Sequence, residues 1–446
     1  MDTATPIWPF VAMGSNVFDG LEIERAEGAW LYTADGRRIL DASAGAVVGN
    51  IGWGRREVAE AAAGSLGRLT YALPPFATRE RVSLARRLRD AWLPRQFERV
   101  SFFGSGSEAN EAAMRLARQY QIGKGRPERW KIIGRHASYS GTSLATLAVG
   151  GHAGRRRDFE PMLVDLPRIP PSYCLRCPFD SRYPDCGLAC AKSLQQTIEL
   201  EGPGTIAGFL AEPIVGTSGG ALIPPDDYWS EIAGICQQYD IPLIADEVLT
   251  GFGRTGARFA MDHWQIAADI LVMGKGMSGG YAAISGVAAT GAVLEAIENA
   301  KLSPMFHTYC GHPVQCATAD KVLEIMERED LLTRVQQLAP SLESAMRRLE
   351  ENPWVIDVRG RGFLWAVEIA ANRATKEPFP EAAGITFKVL ENTVKRGVFT
   401  YFGGTGEVRD VVIVAPPFIV GEAEFTQIAD ALDEAIREVC GAQRGA

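Results

Sequence analysis

Through the middle of the chain, short apolar runs alternate with longer stretches of helical periodicity. The runs are Val100-Ser101-Phe102-Phe103, Lys131-Ile132-Ile133, Gly208-Phe209-Leu210-Ala211, Pro242-Leu243-Ile244-Ala245, Ile270-Leu271-Val272-Met273 and Gly286-Val287-Ala288-Ala289. This alternation predicts an α/β fold, with a mostly parallel sheet sandwiched by helices. After Pro313 a long helical pattern begins, carried by Val322, Leu323 and Ile325 and then by Leu331, Leu332, Val335 and Leu338. It leads out of the large domain. From Val355-Ile356-Asp357-Val358-Arg359 to Val411-Val412-Ile413-Val414 strands and helices mix on a smaller scale, which predicts a second, smaller α+β domain. The chain shows no internal repeat and no low-complexity tract.

Two of the predicted strands end in unusual chemistry. The run Ile270–Met273 stops at Gly274-Lys275-Gly276, which sets one ammonium group against an apolar wall. Burial favours the uncharged amine, a nucleophile able to form a Schiff base with an aldehyde. The run Pro242–Ala245 ends in Asp246-Glu247, and the interval from Asp246 to Lys275 is about one strand-helix-strand unit. In one parallel sheet both side chains emerge at the carboxyl edge, where open α/β sheets bind ligands. An amine facing a buried acid suits pyridoxal phosphate, which needs a lysine for its aldehyde and an acid for its ring nitrogen.

Composition narrows the choice further. The 446 residues are 46% hydrophobic and 22% charged, as in ordinary globular chains, and fit two or three domains. A formal charge of −8 with no long basic run argues against nucleic-acid binding and for small-molecule chemistry. No apolar run approaches the ~20 residues of a membrane span, and the first residues lack a basic-then-apolar leader, so the chain reads as cytoplasmic with no membrane partner.

Four more segments cluster around this pair. Gly104-Ser105-Gly106-Ser107-Glu108 follows a strand and opens a helix, so the backbone N–H groups of Gly106 and Ser107 offer an anion site for a phosphate. Ser105 and Glu108 fit a plain capping box as well. Tyr139 supplies a ring at a strand end, able to stack on a pyridine or simply to pack. Glu212 ends a strand before Pro213, and Thr308 lies in a polar, aromatic loop where its hydroxyl can reach a phosphate oxygen or satisfy its own backbone.

Together these segments resemble the class III aminotransferases, pyridoxal-phosphate enzymes of the aspartate-aminotransferase fold type I. The resemblance runs from about Asn50 to Pro417. Its most specific pieces are Gly104-Ser105-Gly106-Ser107-Glu108-Ala109, Ala245-Asp246-Glu247-Val248 with Gly251-Phe252-Gly253-Arg254-Thr255-Gly256, and Gly274-Lys275-Gly276. It implies a seven-stranded, mostly parallel sheet in the large domain, residues 61–330, with a cysteine-rich insertion at 171–192. The small domain would be 331–446, joined by an N-terminal segment, 1–60, that also frames the substrate entrance.

The resemblance also implies roles. Lys275 would hold the cofactor covalently and later shuttle a proton, and Asp246 would pair with the ring nitrogen. Tyr139 and Val248 would flank the ring, Gly106 and Ser107 would hold its phosphate, and Glu212 would join the polar network beside it. Thr308 would reach the phosphate of a neighbouring subunit, which implies a homodimer with shared sites and leaves room for a tetramer. The Gly251–Gly256 turn fixes loop geometry as readily as it touches substrate, so Arg254 is left outside the site. Many members have histidine where this chain has Ser140. On the substrate side the implied residues are Phe10, Val47, which stands where some members carry tryptophan and so widens the pocket, and Arg409, the nearest arginine to Ala415-Pro416-Pro417. The register of Arg409 is shifted from the family's mobile arginine, and a surface salt bridge is its other reading.

The implied reaction moves an amino group from an amine or omega-amino acid to a keto acid such as pyruvate or 2-oxoglutarate. An aminomutase, epimerase or decarboxylase of the same fold would keep the same lysine and aspartate. A reading of another class rests on Cys174, Cys177, Cys186 and Cys190, whose C-x2-C-x8-C-x3-C spacing suits an iron-sulfur cluster or zinc: a noncatalytic protein sensing metal or redox state. Reduced, metal-free thiols are the alternative to that.

Overall fold

The computed structural model describes residues 21–406 and 408–443. Its centre is a seven-stranded sheet. In spatial order the strands are Phe97–Phe103, Ser285–Thr290, Ile270–Met273, Leu243–Asp246, Ile206–Ala211, Lys131–Arg135 and Arg168–Ile169. Ser285–Thr290 runs antiparallel to both neighbours, and the other six strands run parallel. All six predicted strands are present. Arg168–Ile169, two residues long, is the edge strand that no apolar run announced.

Helices on both faces explain why these strands read as unbroken apolar runs. Alternate side chains feed two cores: Phe209, Ala211, Leu243, Ala245, Leu271 and Met273 face one, and Leu210, Ile244, Ile270 and Val272 the other. Asp246 pairs in register with Val272, so the chain that leaves the neighbouring strand delivers Lys275 to the same carboxyl edge.

A small domain builds on the four-stranded antiparallel sheet of Val355–Arg361, Leu364–Ile369, Val408–Val414 and Tyr401–Thr405. The helices Pro313–Arg328 and Leu331–Arg347 lead to it, as the periodicity after Pro313 predicts. A further sheet joins the two ends of the chain. Ile23–Glu27, Trp30–Thr33 and Arg38–Asp41 form an antiparallel meander, and Val398–Phe399 adds to it in parallel, with Val398 opposite Leu40.

Candidate active site

Asp246 is buried at its strand end, and its carboxylate is fixed by two donors. The Asn110 side-chain amide donates to Oδ2 at 2.9 Å and the Val248 backbone N–H to Oδ1 at 3.2 Å. Burial raises its pKa, opposed by those hydrogen bonds and by the charge of Lys275. Lys275 is partly open along its length while its amine lies deep among protein atoms, and burial lowers its pKa against the pull of Asp246 and Glu212. The buried Arg254 guanidinium pushes the same way as burial. Lys275 also adopts a left-handed backbone with φ +43°, a conformation that costs a non-glycine residue about 1–3 kcal/mol and clusters at functional sites.

Glu212 is buried and holds the neighbouring loop. Its Oε2 accepts from the Tyr139 N–H at 3.1 Å and its Oε1 from the Gly216 N–H at 2.9 Å. Burial, then repulsion from Asp246, pushes its carboxyl up to about 7.

The helix Gly106–Gly123 starts at an N-cap, Ser105, whose Oγ accepts from the Glu108 N–H at 3.3 Å. Glu108 turns back to accept from Gly104 N–H at 2.7 Å, one residue earlier than a reciprocal capping box requires. The cap uses Glu108 N–H and leaves the N–H groups of Gly106 and Ser107 among the orphan donors of the first turn. A Cβ on Gly106 would lie 3.2 Å from Val248 Cγ1, and one on Gly274 would lie 3.1 Å from the same methyl. The helix start, Val248 and the segment carrying Lys275 therefore meet at one place. The Gly141 position, which a Cβ would bring to 2.4 Å from Ser107 Oγ, ties the Tyr139 loop to that helix start.

These residues fit pyridoxal phosphate. The helix start offers a phosphate two free N–H groups, Asp246 offers a buried anion, and Lys275 offers an amine whose charged form is disfavoured. Two buried polar atoms at Asp246 also lack partners among the described residues, Asn110 Oδ1 and Ser140 Oγ; the Ser140 hydroxyl lies beside the carboxylate without full hydrogen-bond geometry.

The outer residues divide. Val47 is buried in an apolar cluster with Ala137 and Leu249, with φ +61°. Arg409 lies on the small-domain strand, where its charge opposes the burial that raises Asp410 to about 6. Thr308 sits in an exposed loop, its carbonyl accepting from the Tyr71 hydroxyl at 3.0 Å. Phe10 lies outside the described residues.

The cysteine loop requires a correction. Cys174, Cys177, Cys186 and Cys190 do line one cavity, but its volume is about 10 Å³, room for one water. Among the described residues no three His, Cys, Asp or Glu side chains form a metal-ion site. Burial, then the neighbouring sulfurs, pushes Cys190 up to about 11 and raises Cys174 too, so these are neutral thiols. The zinc or iron-sulfur expectation for these four residues has no support here.

Two residues, Asn110 and Arg155, escaped the sequence reading, and Arg254 stood in it outside the site. Asn110, a polar residue on the otherwise alanine-rich inner face of its helix, is the one with a visible signal. Arg254 is fully enclosed; it donates to Asn50 Oδ1 at 2.8 Å and Pro416 O at 2.7 Å, linking the two domains. Burial lowers it to about 9. Arg155 stacks on Tyr139, its guanidinium carbon 5.0 Å from the ring centre.

A lysine and an acid at adjacent parallel strand ends, beside a capped helix start, are the working parts of a fold type I pyridoxal-phosphate enzyme. The chain belongs to the class III aminotransferases: the model of the family Aminotransferase class-III matches residues 10–436. It is similar to the uncharacterized aminotransferase YhxA of Bacillus subtilis (strain 168), 36% identical over 96% of this chain and 94% of that protein. The putrescine–pyruvate aminotransferase of Pseudomonas aeruginosa is 32% identical over 91% of this chain and 88% of its own. Among solved structures, the omega transaminase of Pseudomonas jessenii in complex with PMP superposes with a TM-score of 0.89, at 30% identity, covering 94% and 93% of the two chains.

Proposed function

We propose that this aminotransferase moves an amino group from an amine or omega-amino acid to a keto acid, pyruvate or 2-oxoglutarate. The observation that carries the reading is the buried Asp246 placed in register beside the strand that delivers Lys275. Pyridoxal phosphate, when bound, supplies an aldehyde that takes up amino groups and a ring that delocalises negative charge. Lys275, whose charged form burial disfavours, would anchor the cofactor through its amine and would take up and return the substrate's proton. Asp246, held by Asn110 and the Val248 N–H, would pair with the ring nitrogen and favour its protonated form. Tyr139 and Val248 would flank the ring, Glu212 holds the Tyr139 loop in place, and the N–H groups of Gly106 and Ser107 would bind the phosphate.

The pyruvate acceptor named for the Pseudomonas aeruginosa relative supports the acceptor side. Phe10 and Val47 are the proposed donor-side residues, and Arg409 is proposed for the carboxylate side. The division at residues 60 and 330 is part of this reading, supported by the pairing of Arg38–Asp41 with Val398–Phe399.

A homodimer belongs to it as well. Leu73, Phe76, Met305, Phe306 and Tyr309 are exposed around Thr308, an apolar surface suited to a second copy whose phosphate Thr308 would reach. Eight free cysteines support a reducing, cytoplasmic setting.

The test is alanine formation from a broad panel of amines and omega-amino acids with pyruvate. The expected result is alanine from at least one donor with the natural chain and none with Lys275→Ala. No alanine from any donor with pyruvate, and no glutamate with 2-oxoglutarate in its place, would sink amino transfer and return the choice to a mutase, epimerase or decarboxylase.

A further inference from the structure

Arg155 closes the short helix Ala153–Arg156 and lies partly buried over the outer side of the site. Its neighbours in sequence are paired: Arg156 meets Glu160 at 2.8 Å, and Arg157 meets Glu381 at 3.8 Å. Arg155 makes no ion pair with a described residue. Its guanidinium rests instead on the ring of Tyr139, whose backbone is pinned by Glu212.

The position is built rather than incidental. His152 Nδ1 accepts from the Arg155 N–H at 3.3 Å and lies 3.1 Å from the Thr405 hydroxyl, which comes from the small domain. One nitrogen serving two donors leaves the proton on Nε2, and burial, then the Arg155 charge, lowers His152 to about 4. The imidazole is therefore neutral at physiological pH. Tyr401, on the same small-domain strand as Thr405, feels the charge of Arg155 as well. Arg155 thus brings an unneutralised cation to the cleft between the domains, against the ring assigned to the cofactor's face.

Resting on the reading above, we propose that Arg155 binds the carboxylate of the keto-acid acceptor. A guanidinium is the side chain best matched to a carboxylate, because it can give two parallel N–H donors to the two oxygens. Partial burial protects that pair from solvent screening. An uncharged amine gains nothing from it. Arg155 is accordingly a binding residue for one of the two substrates, ahead of Arg409, the other arginine proposed for the carboxylate side, whose charge is already engaged by Asp410.

The experiment compares the cofactor-loaded natural chain with Arg155→Gln, Arg155→Lys and Arg409→Gln. Removing a charge-assisted bond should raise KM for pyruvate about 10- to 100-fold in Arg155→Gln. KM for an uncharged amine should stay within about twofold, Arg155→Lys should fall between, and Arg409→Gln should move KM less than Arg155→Gln does. Two readouts do not depend on turnover. The affinity of the cofactor-free protein for pyridoxal phosphate should be unchanged in Arg155→Gln, and propionate, an unreactive carboxylate, should bind the natural holoenzyme more tightly than the variant. Equal KM for pyruvate in both, an equal rise for amine and acid, or weakened cofactor affinity would overturn the proposal, the last by assigning Arg155 to the phosphate. Should the natural chain make neither alanine from pyruvate nor glutamate from 2-oxoglutarate, amino transfer fails, and the propionate arm alone decides the role of Arg155.

Discussion

The carboxyl edge of the sheet and the cysteine loop each gather several titratable side chains around one buried point, yet only the first is arranged for chemistry. At the edge the groups differ in charge type, and burial drives them toward each other's ordinary range: the Lys275 amine down, the Asp246 and Glu212 carboxyls up. In the loop all four groups are thiols. Burial and the neighbouring sulfurs raise buried Cys190 and the more open Cys174, and the backbone N–H groups beside Cys190 only partly offset this. Proximity alone makes a cavity. Opposed charges, held by donors and left with spare hydrogen-bonding capacity, make a site.

The contrast can be broken at its strongest point first. Lys275→Ala should lower amino transfer about 10⁴-fold, the upper end for a single proton-transfer group, read from initial rates with saturating cofactor. Asp246→Asn keeps the shape but removes the charge and turns one of the two accepting oxygens into a donor; a loss of about 10²- to 10³-fold in kcat is expected, the usual size for one preorganised electrostatic partner. An Asp246→Asn enzyme of natural activity would remove the charge from the argument.

Gly106→Ala presses a methyl on Val248 and should cost about 1–3 kcal/mol by denaturant unfolding, with weaker cofactor binding. A pH titration of the cofactor-free protein sharpens the difference between acid and thiol. Glu212 keeps its proton in the folded chain up to about 7, whereas the unfolded chain loses it near its ordinary value of 4.5. Raising pH through that window therefore favours unfolding, and above it the penalty is constant. Glu212→Gln should flatten that part of the stability profile. Cys190→Ser should leave the slope alone, because its thiol titrates far above the window. The smallest effect is expected from Cys174→Ser, an exposed position: a stability change within about 0.5 kcal/mol and unchanged kcat.

The legible parts of the molecule were those whose sequence signal is the same physics that buries them. Ile270–Met273 and Leu243–Asp246 are covered on both faces, so their unbroken apolar character marked strands, and the polar residues ending them stood out. Ile23–Glu27 is largely exposed and carries no such run, so the first strand went unseen. Residues that depend on distant partners were harder still. Arg155 matters because a helix turn carries it to Tyr139, and Arg254 because Asn50 and Pro416 converge on it, relations that spacing does not record. The four cysteines failed in the opposite sense: regular spacing brought them to one cavity, yet no three of them form a metal-ion site among the described residues.

The sheet that unites the chain's two ends also sets a timetable. Its meander leaves the ribosome early, but the strand that pairs with Leu40 does not exist until Val398 has been made. At typical synthesis rates that gap is on the order of tens of seconds, during which the Arg38–Asp41 strand presents an open edge. Chains halted before Val398 would carry that unpaired edge permanently. The bridge thus becomes a checkpoint for synthesis through Phe399, and a product halted before it would be a candidate for aggregation or proteolysis before it could reach its cofactor.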